Sequence, residues 1–160
     1  MMVRKVGFGL LFLAVTNVGM ACDYSHARYV YSTDSSVSAR FEKLPATAGL
    51  VSDVAMAIER SGKRPFWFVF DAGSSVTSRM SETTSEGKDA WKMGVSKHRA
   101  LESLPIYGWA SNYTLVSSVP KAANVAPDVL FAPDLDEALR HLPDAQFNLG
   151  QGFFKLTSCK

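Results

Sequence analysis

The sequence predicts a single α+β domain in which a mostly antiparallel sheet packs against two or three helices. Three observations support this prediction. The chain has 160 residues, a length that fits one ordinary domain. Several short segments alternate apolar and polar residues, as strands with one buried face do. In two other segments the apolar residues recur at helical spacing.

Residues 1–21 have the layout of a secretory signal peptide. Arg4 and Lys5 give a positive start, and an apolar run and small residues before a cleavage point follow. The run is much shorter than the roughly 20 apolar residues that cross a bilayer. We therefore expect export to the periplasm or the extracellular space, no membrane span, and a mature domain formed by residues 22–160.

Alternating segments predict the strands. Residues 27–42 alternate around a turn-rich centre, which predicts a β-hairpin. The aromatic and β-branched run 66–70 predicts a strand buried on both faces, and 65–95 as a whole is expected to form an antiparallel meander. Further short strands are expected in 106–119, 129–131 and 153–156.

Two segments carry the helical spacing. In 50–60 the apolar residues fall on one helical face, and Gly62 suits the end of a helix. In 134–142 an acidic residue stands at the cap position with Glu137 three residues later, which is a variant of the capping box. A short third helix is expected at 96–104.

The charge balance argues against nucleic acid as a partner. The 17 basic and 15 acidic residues leave a net charge of only +2, too small to attract a phosphate backbone. Removal of residues 1–21 takes away Arg4 and Lys5 and no acidic residue, so the mature domain is neutral before termini and histidines. Its partner must then be selected by local shape and by aromatic or polar patches.

The two cysteines lie at opposite ends of the mature domain. Gly19-Met20-Ala21-Cys22 resembles the lipobox of bacterial lipoproteins, and the resemblance implies a structural envelope lipoprotein with a lipid anchor on Cys22. The favoured alternative is a disulfide between Cys22 and Cys159, because domain termini often lie close together and an exported chain meets oxidising conditions. The two alternatives exclude each other, since a lipidated thiol cannot pair.

The strongest motif for chemistry follows the predicted strand 66–70. Residues 71–75, Asp-Ala-Gly-Ser-Ser, resemble the first phosphate-binding motif of the apyrase branch of the actin-like ATPases, which implies backbone amides around a phosphate. The favoured interpretation is a polar turn between two strands, because that family needs two large lobes. A small cell-envelope hydrolase would use Asp71, Ser74 or His98. Asp71 and Glu82 are also expected as an exposed pair across the hairpin.

Aromatic residues give the best candidate for binding. Tyr107, Trp109 and Tyr113 cluster in a short segment, and such side chains either anchor interfaces or complete the core. Asp71 and Ser74 are further candidates. The histidines lack a second ligand at metal spacing, and no cofactor is indicated. The sequence thus favours a binding protein over an enzyme, with another protein as its partner. An inhibitor or immunity-type role against a cell-envelope enzyme is the most specific hypothesis.

Overall fold

A computed structural model of the chain describes residues 21–45, 50–72, 78–83, 103–140 and 148–160. Ser74, His98, the segment predicted as a signal peptide up to residue 20, the strand predicted at 91–95 and most of the helix predicted at 96–104 lie outside these ranges. The described strands are β1 (Ala27–Tyr31), β2 (Val37–Lys43), β3 (Val54–Arg60), β4 (Phe66–Ala72), β5 (Ser78–Thr83), β6 (Leu104–Trp109), β7 (Leu115–Val116), β8 (Val129–Phe131) and β9 (Phe154–Cys159), and the described helix is α1 (Leu135–Arg140).

Eight of these strands close into an antiparallel barrel. Each strand from β1 to β5 pairs with the next, β5 pairs with β6, and β8 and β9 lead from β6 back to β1. Strand β7 is an addition on the β5 side of β6. Ser78, the first residue of β5, lies opposite Ile106 of β6. Val116 of β7 lies opposite Gly108, so β7 pairs with the next part of the same edge of β6.

The α+β prediction is therefore wrong. The fold is a barrel with one extra strand, and the described ranges contain a single helix of six residues, α1. The largest error is at 50–60, where the predicted helix is replaced by β3. Strand β3 is central in the barrel wall, since it pairs with β2 over its whole length and with β4 over four residues.

The burial of β3 explains why helical spacing misled the prediction. Val54, Met56 and Ile58 point into the barrel, while Ala55 and Ala57 belong to a separate apolar cluster on its outer face. All five residues are buried. A short apolar run buried on both faces has no period that distinguishes a strand from a helix.

Local signals with specific turn or cap chemistry located their elements well. Strands β1 and β2 form the hairpin expected at 27–42, with Tyr29 opposite Ala39. The capped segment predicted at 134–142 contains α1, whose first turn holds Asp136 and Glu137 and whose last turn holds Arg140. Acidic residues at the start and a basic residue at the end complement the helix dipole.

Large apolar side chains fill the barrel interior. The ring of Phe41 lies 4.8 Å from that of Tyr24, 6.0 Å from that of Tyr29 and 5.8 Å from that of Phe70, measured between centroids. The Tyr29 hydroxyl donates a buried hydrogen bond of 2.7 Å to the carbonyl oxygen of Pro127. An eight-stranded barrel is just wide enough for side chains to fill it, and that is the arrangement here.

A disulfide and backbone hydrogen bonds fasten the segment before β1 to the end of β9. A disulfide joins Cys22 to Cys159 with a Cα–Cα distance of 5.6 Å, so the predicted disulfide is confirmed. Ala27 lies opposite Cys159 in the β1–β9 pair, and the Lys160 amide donates to the carbonyl oxygen of His26 at 2.9 Å. The disulfide uses the Cys22 thiol that a lipid anchor would require.

Candidate functional site

Tyr107 and Trp109 lie side by side on the outside of the barrel. Ile106 and Gly108 of β6 are buried, so the alternate residues Tyr107 and Trp109 face outward and stay partly exposed. Their rings stack with a centroid distance of 5.8 Å and an interplanar angle of 20°. The structure therefore brings together two of the residues that the sequence singled out.

Two more aromatic residues extend this surface. Phe131 of β8 lies opposite Tyr107 in the sheet, and its ring centroid is 6.4 Å from that of Trp109. Phe153 directly precedes β9. The first residue of β9, Phe154, pairs with Leu130, the neighbour of Phe131. The side chain of Phe153 is 38% exposed. We call Tyr107, Trp109, Phe131 and Phe153 the aromatic stripe. Sequence reasoning missed Phe131 and Phe153, because only the pairing of β6 with β8 and of β8 with β9 brings them to this face.

Tyr113 lies at the tip of the hairpin that connects β6 to β7. It is 88% exposed, and its φ of 63° places the backbone in the left-handed region. The Tyr113 amide donates to the carbonyl oxygen of Ala110 at 2.9 Å, and the Ala110 amide donates to that of Thr114 at 3.0 Å. Tyr113 is thus displayed to solvent four residues after Trp109, on a hydrogen-bonded turn.

The outer face on β3 and β4 contrasts with the aromatic stripe. Trp67 and Val69 point outward from β4, yet they are only 5% and 4% exposed. The Arg40 guanidinium lies 4.9 Å from the centre of the Trp67 ring and donates to Glu59 at 2.8 Å. Burial alone would lower the pKa of Arg40, but the hydrogen bonds and charges of Glu59 and Glu42 raise it. The chain covers this apolar face within itself, whereas the aromatic stripe remains partly exposed.

Asp71 stands apart from the aromatic stripe. It is exposed at the end of β4, two strands away from β6, and its carboxylate accepts a hydrogen bond of 3.0 Å from the amide of Ala72. Arg79 lies opposite Asp71 in the sheet, but its guanidinium donates to the Ser103 hydroxyl at 2.8 Å and to the Ser103 carbonyl oxygen. The other two residues of the hydrolase hypothesis, Ser74 and His98, lie outside the described residues.

Glu82 is in a different place from the one expected. It lies opposite Phe68 on the inner face of β5, while Asp71 lies on the outer face of β4, so the two do not form an exposed pair. Glu82 is only 8% exposed, and its Oε2 atom is buried without a hydrogen-bond partner. Burial raises the pKa of this carboxyl. An interior carboxyl of this kind destabilises the fold, because its charge has no local compensation.

A Ser-His-Asp cluster that the sequence did not indicate lies before β1. The Ser25 hydroxyl donates to Asp23 Oδ1 at 2.7 Å, and His26 Nδ1 lies 2.7 Å from the same oxygen. These hydrogen bonds, first that of Ser25 and then that of His26, lower the pKa of Asp23. In a catalytic triad the serine and the aspartate bind opposite nitrogens of the histidine. Here both meet at Nδ1, so the cluster is an exposed polar turn rather than a nucleophilic site.

The described ranges hold neither a cluster of metal ligands nor a membrane-spanning helix. Among the residues of those ranges, no three His, Cys, Asp or Glu side chains come together in a way that would hold a metal ion. Helix α1, the single helix of the same ranges, lacks the length and apolar character needed to cross a membrane. Comparison of the chain with protein-family models, with curated proteins and with solved structures finds no match.

Proposed function

We propose that the mature domain is an exported binding protein that contacts another protein through the aromatic stripe. The observation that carries the proposal is the convergence of four aromatic side chains from β6, β8 and the start of β9 on one outer face that stays partly exposed. Exposed aromatic groups of this kind mark interaction sites, and Tyr and Trp are enriched among residues that dominate binding.

The surroundings of the aromatic stripe support a protein as the partner. Lys155 of β9 lies opposite Val129, next to the stripe, and both Lys155 and Asp128 are exposed. An aromatic centre with a polar and charged margin is the usual anatomy of a protein–protein interface. The mature domain has no net charge to steer it towards a polyanion, so contact area and shape must provide most of the affinity.

The disulfide supports export. Disulfides persist in oxidising compartments and are rare in the cytosol. The bond between Cys22 and Cys159 therefore agrees with the signal peptide that the sequence predicts. An exported binding domain of this size suits an inhibitor or immunity-type protein that acts on a cell-envelope enzyme. This role is the specific form of the proposal, and the identity of the captured partner tests it.

Affinity capture from an envelope extract of the source organism tests the proposed function. The disulfide-bonded protein is immobilised beside its Trp109→Ala and Phe131→Ala variants, and each captured protein is identified and its Kd measured. Val51→Ala is the matched control, because Val51 is an apolar residue that is 45% exposed and that precedes β3, three strands away from β6. Unchanged thermal midpoints show that the variants stay folded.

The proposal predicts a partner that wild type and Val51→Ala bind equally. Trp109→Ala weakens that binding by about 30-fold, as removal of a residue that dominates an interface does. Capture that is equal for wild type and both stripe variants contradicts the proposal, as does the absence of any specific partner.

A further inference from the structure

The backbone conformation of Tyr113 is costly, and the exposed ring gains almost no burial in return. A φ of 63° is unfavourable for a residue with a Cβ atom, and it is the conformation that Gly and Asn adopt most readily. Tyr113 is also 88% exposed, so its ring gains almost no burial in the free protein. Its large side chain at this position is therefore unexplained by the stability of the fold.

The turn holds the backbone at Tyr113 in one conformation. Besides the two backbone hydrogen bonds that link Ala110 with Tyr113 and Thr114, the Asn112 side chain accepts a hydrogen bond of 3.0 Å from the Thr114 amide. Strands β6 and β7 support the turn from below, since Trp109 lies opposite Leu115. A turn whose backbone is ordered before binding loses less conformational entropy when it binds.

From these observations we infer that Tyr113 is the anchor of the interface and enters a pocket on the partner protein. This inference rests on the proposed function, because the aromatic stripe provides the surrounding contact area. The ring requires a pocket with apolar walls, and the hydroxyl requires a hydrogen-bond partner at its base. Pockets of this form are typical of ligand-binding clefts, so the hairpin tip is suited to fill the cleft of an enzyme.

Three substitutions at position 113 separate anchoring from a structural role. Tyr113→Gly and Tyr113→Asn remove the ring and favour the observed φ, and Tyr113→Phe removes only the hydroxyl. The thermal midpoint of each variant is measured, together with its Kd for the partner that the wild-type protein captures from the envelope extract.

We expect Tyr113→Gly and Tyr113→Asn to unfold at a higher temperature than wild type and to bind the partner about 30-fold more weakly. Tyr113→Phe retains the strain and loses less affinity, about 3- to 10-fold, the effect of one hydrogen bond. A higher midpoint together with an unchanged Kd overturns the inference. If Trp109→Ala still weakens binding in that case, only the anchor is refuted, whereas failure of both sets of variants refutes the proposed function as well.

Discussion

Removal of the disulfide should produce the largest change in stability that the structure predicts. Cys22 and Cys159 are separated by 137 positions, so the bond closes a loop that includes every strand of the barrel. In the chain-entropy account, a cross-link over that length lowers the conformational entropy of the unfolded chain. This raises the unfolding free energy by about 5 kcal/mol. A typical domain has only about 5–15 kcal/mol of total stability, so this contribution is decisive.

The folded state itself should survive the substitution. Strands β1 and β9 pair along their length without the disulfide, and the Lys160 amide keeps its bond to the carbonyl oxygen of His26. The effect therefore lies in the unfolded chain, which becomes more expanded. The urea dependence of the unfolding free energy should become steeper, because more surface is exposed on unfolding.

Urea unfolding of oxidised wild type and of Cys22→Ser/Cys159→Ser provides the assay. We expect the double variant to lose about 5 kcal/mol of unfolding free energy, and each single variant to lose the same amount, because either change breaks the bond. Reduced wild type serves as the control and should match the double variant. A loss below about 1 kcal/mol, or single variants that differ clearly from each other, would refute the reasoning.

Three further changes test the packing and the electrostatics, each by its effect on unfolding. Tyr29→Phe leaves the buried carbonyl oxygen of Pro127 without its 2.7 Å donor and should cost about 1–3 kcal/mol; no change would contradict this. Gly108→Ala should also destabilise, because an added Cβ would lie 2.9 Å from Pro127 Cγ. Burial raises the pKa of Glu82, so the carboxyl costs the fold no stability below its unfolded pKa, and stability is lost as pH rises through its folded pKa. Glu82→Gln should therefore melt above wild type at pH about 7 and lose that advantage near pH about 4, whereas a constant difference would contradict it.

Elements with distinct local chemistry were predictable from the sequence. The turn-rich centre of 27–42 and the cap at Asp134 locate β1, β2 and α1, because turn and cap residues act on their immediate neighbours. The barrel depends on contacts of another kind. Its closure requires β5 to pair with β6 and β1 to pair with β9, and neither pairing has a local signature in the sequence.

The same distinction applies to the candidate site. Tyr107 and Trp109 alternate on one strand, so their shared face follows from the strand period. Phe131 joins them only through the pairing of β6 with β8, and Phe153 only through that of β8 with β9. The buried position of Glu82 was equally hidden, because its face follows from the packing of Met80 and Phe68 into the barrel.

The proposed interface is tested most directly by hydroxyl-radical footprinting of the protein alone and in complex with its captured partner. Oxidation of each side chain reports its exposure to solvent, and every residue of the aromatic stripe is partly exposed in the free protein. The account predicts that Tyr107, Trp109, Phe131 and Phe153 become protected in the complex, while Val51, which is 45% exposed, stays as reactive as before. If the oxidation of the stripe is unchanged in the complex and residues on another face of the barrel become protected, the account is contradicted.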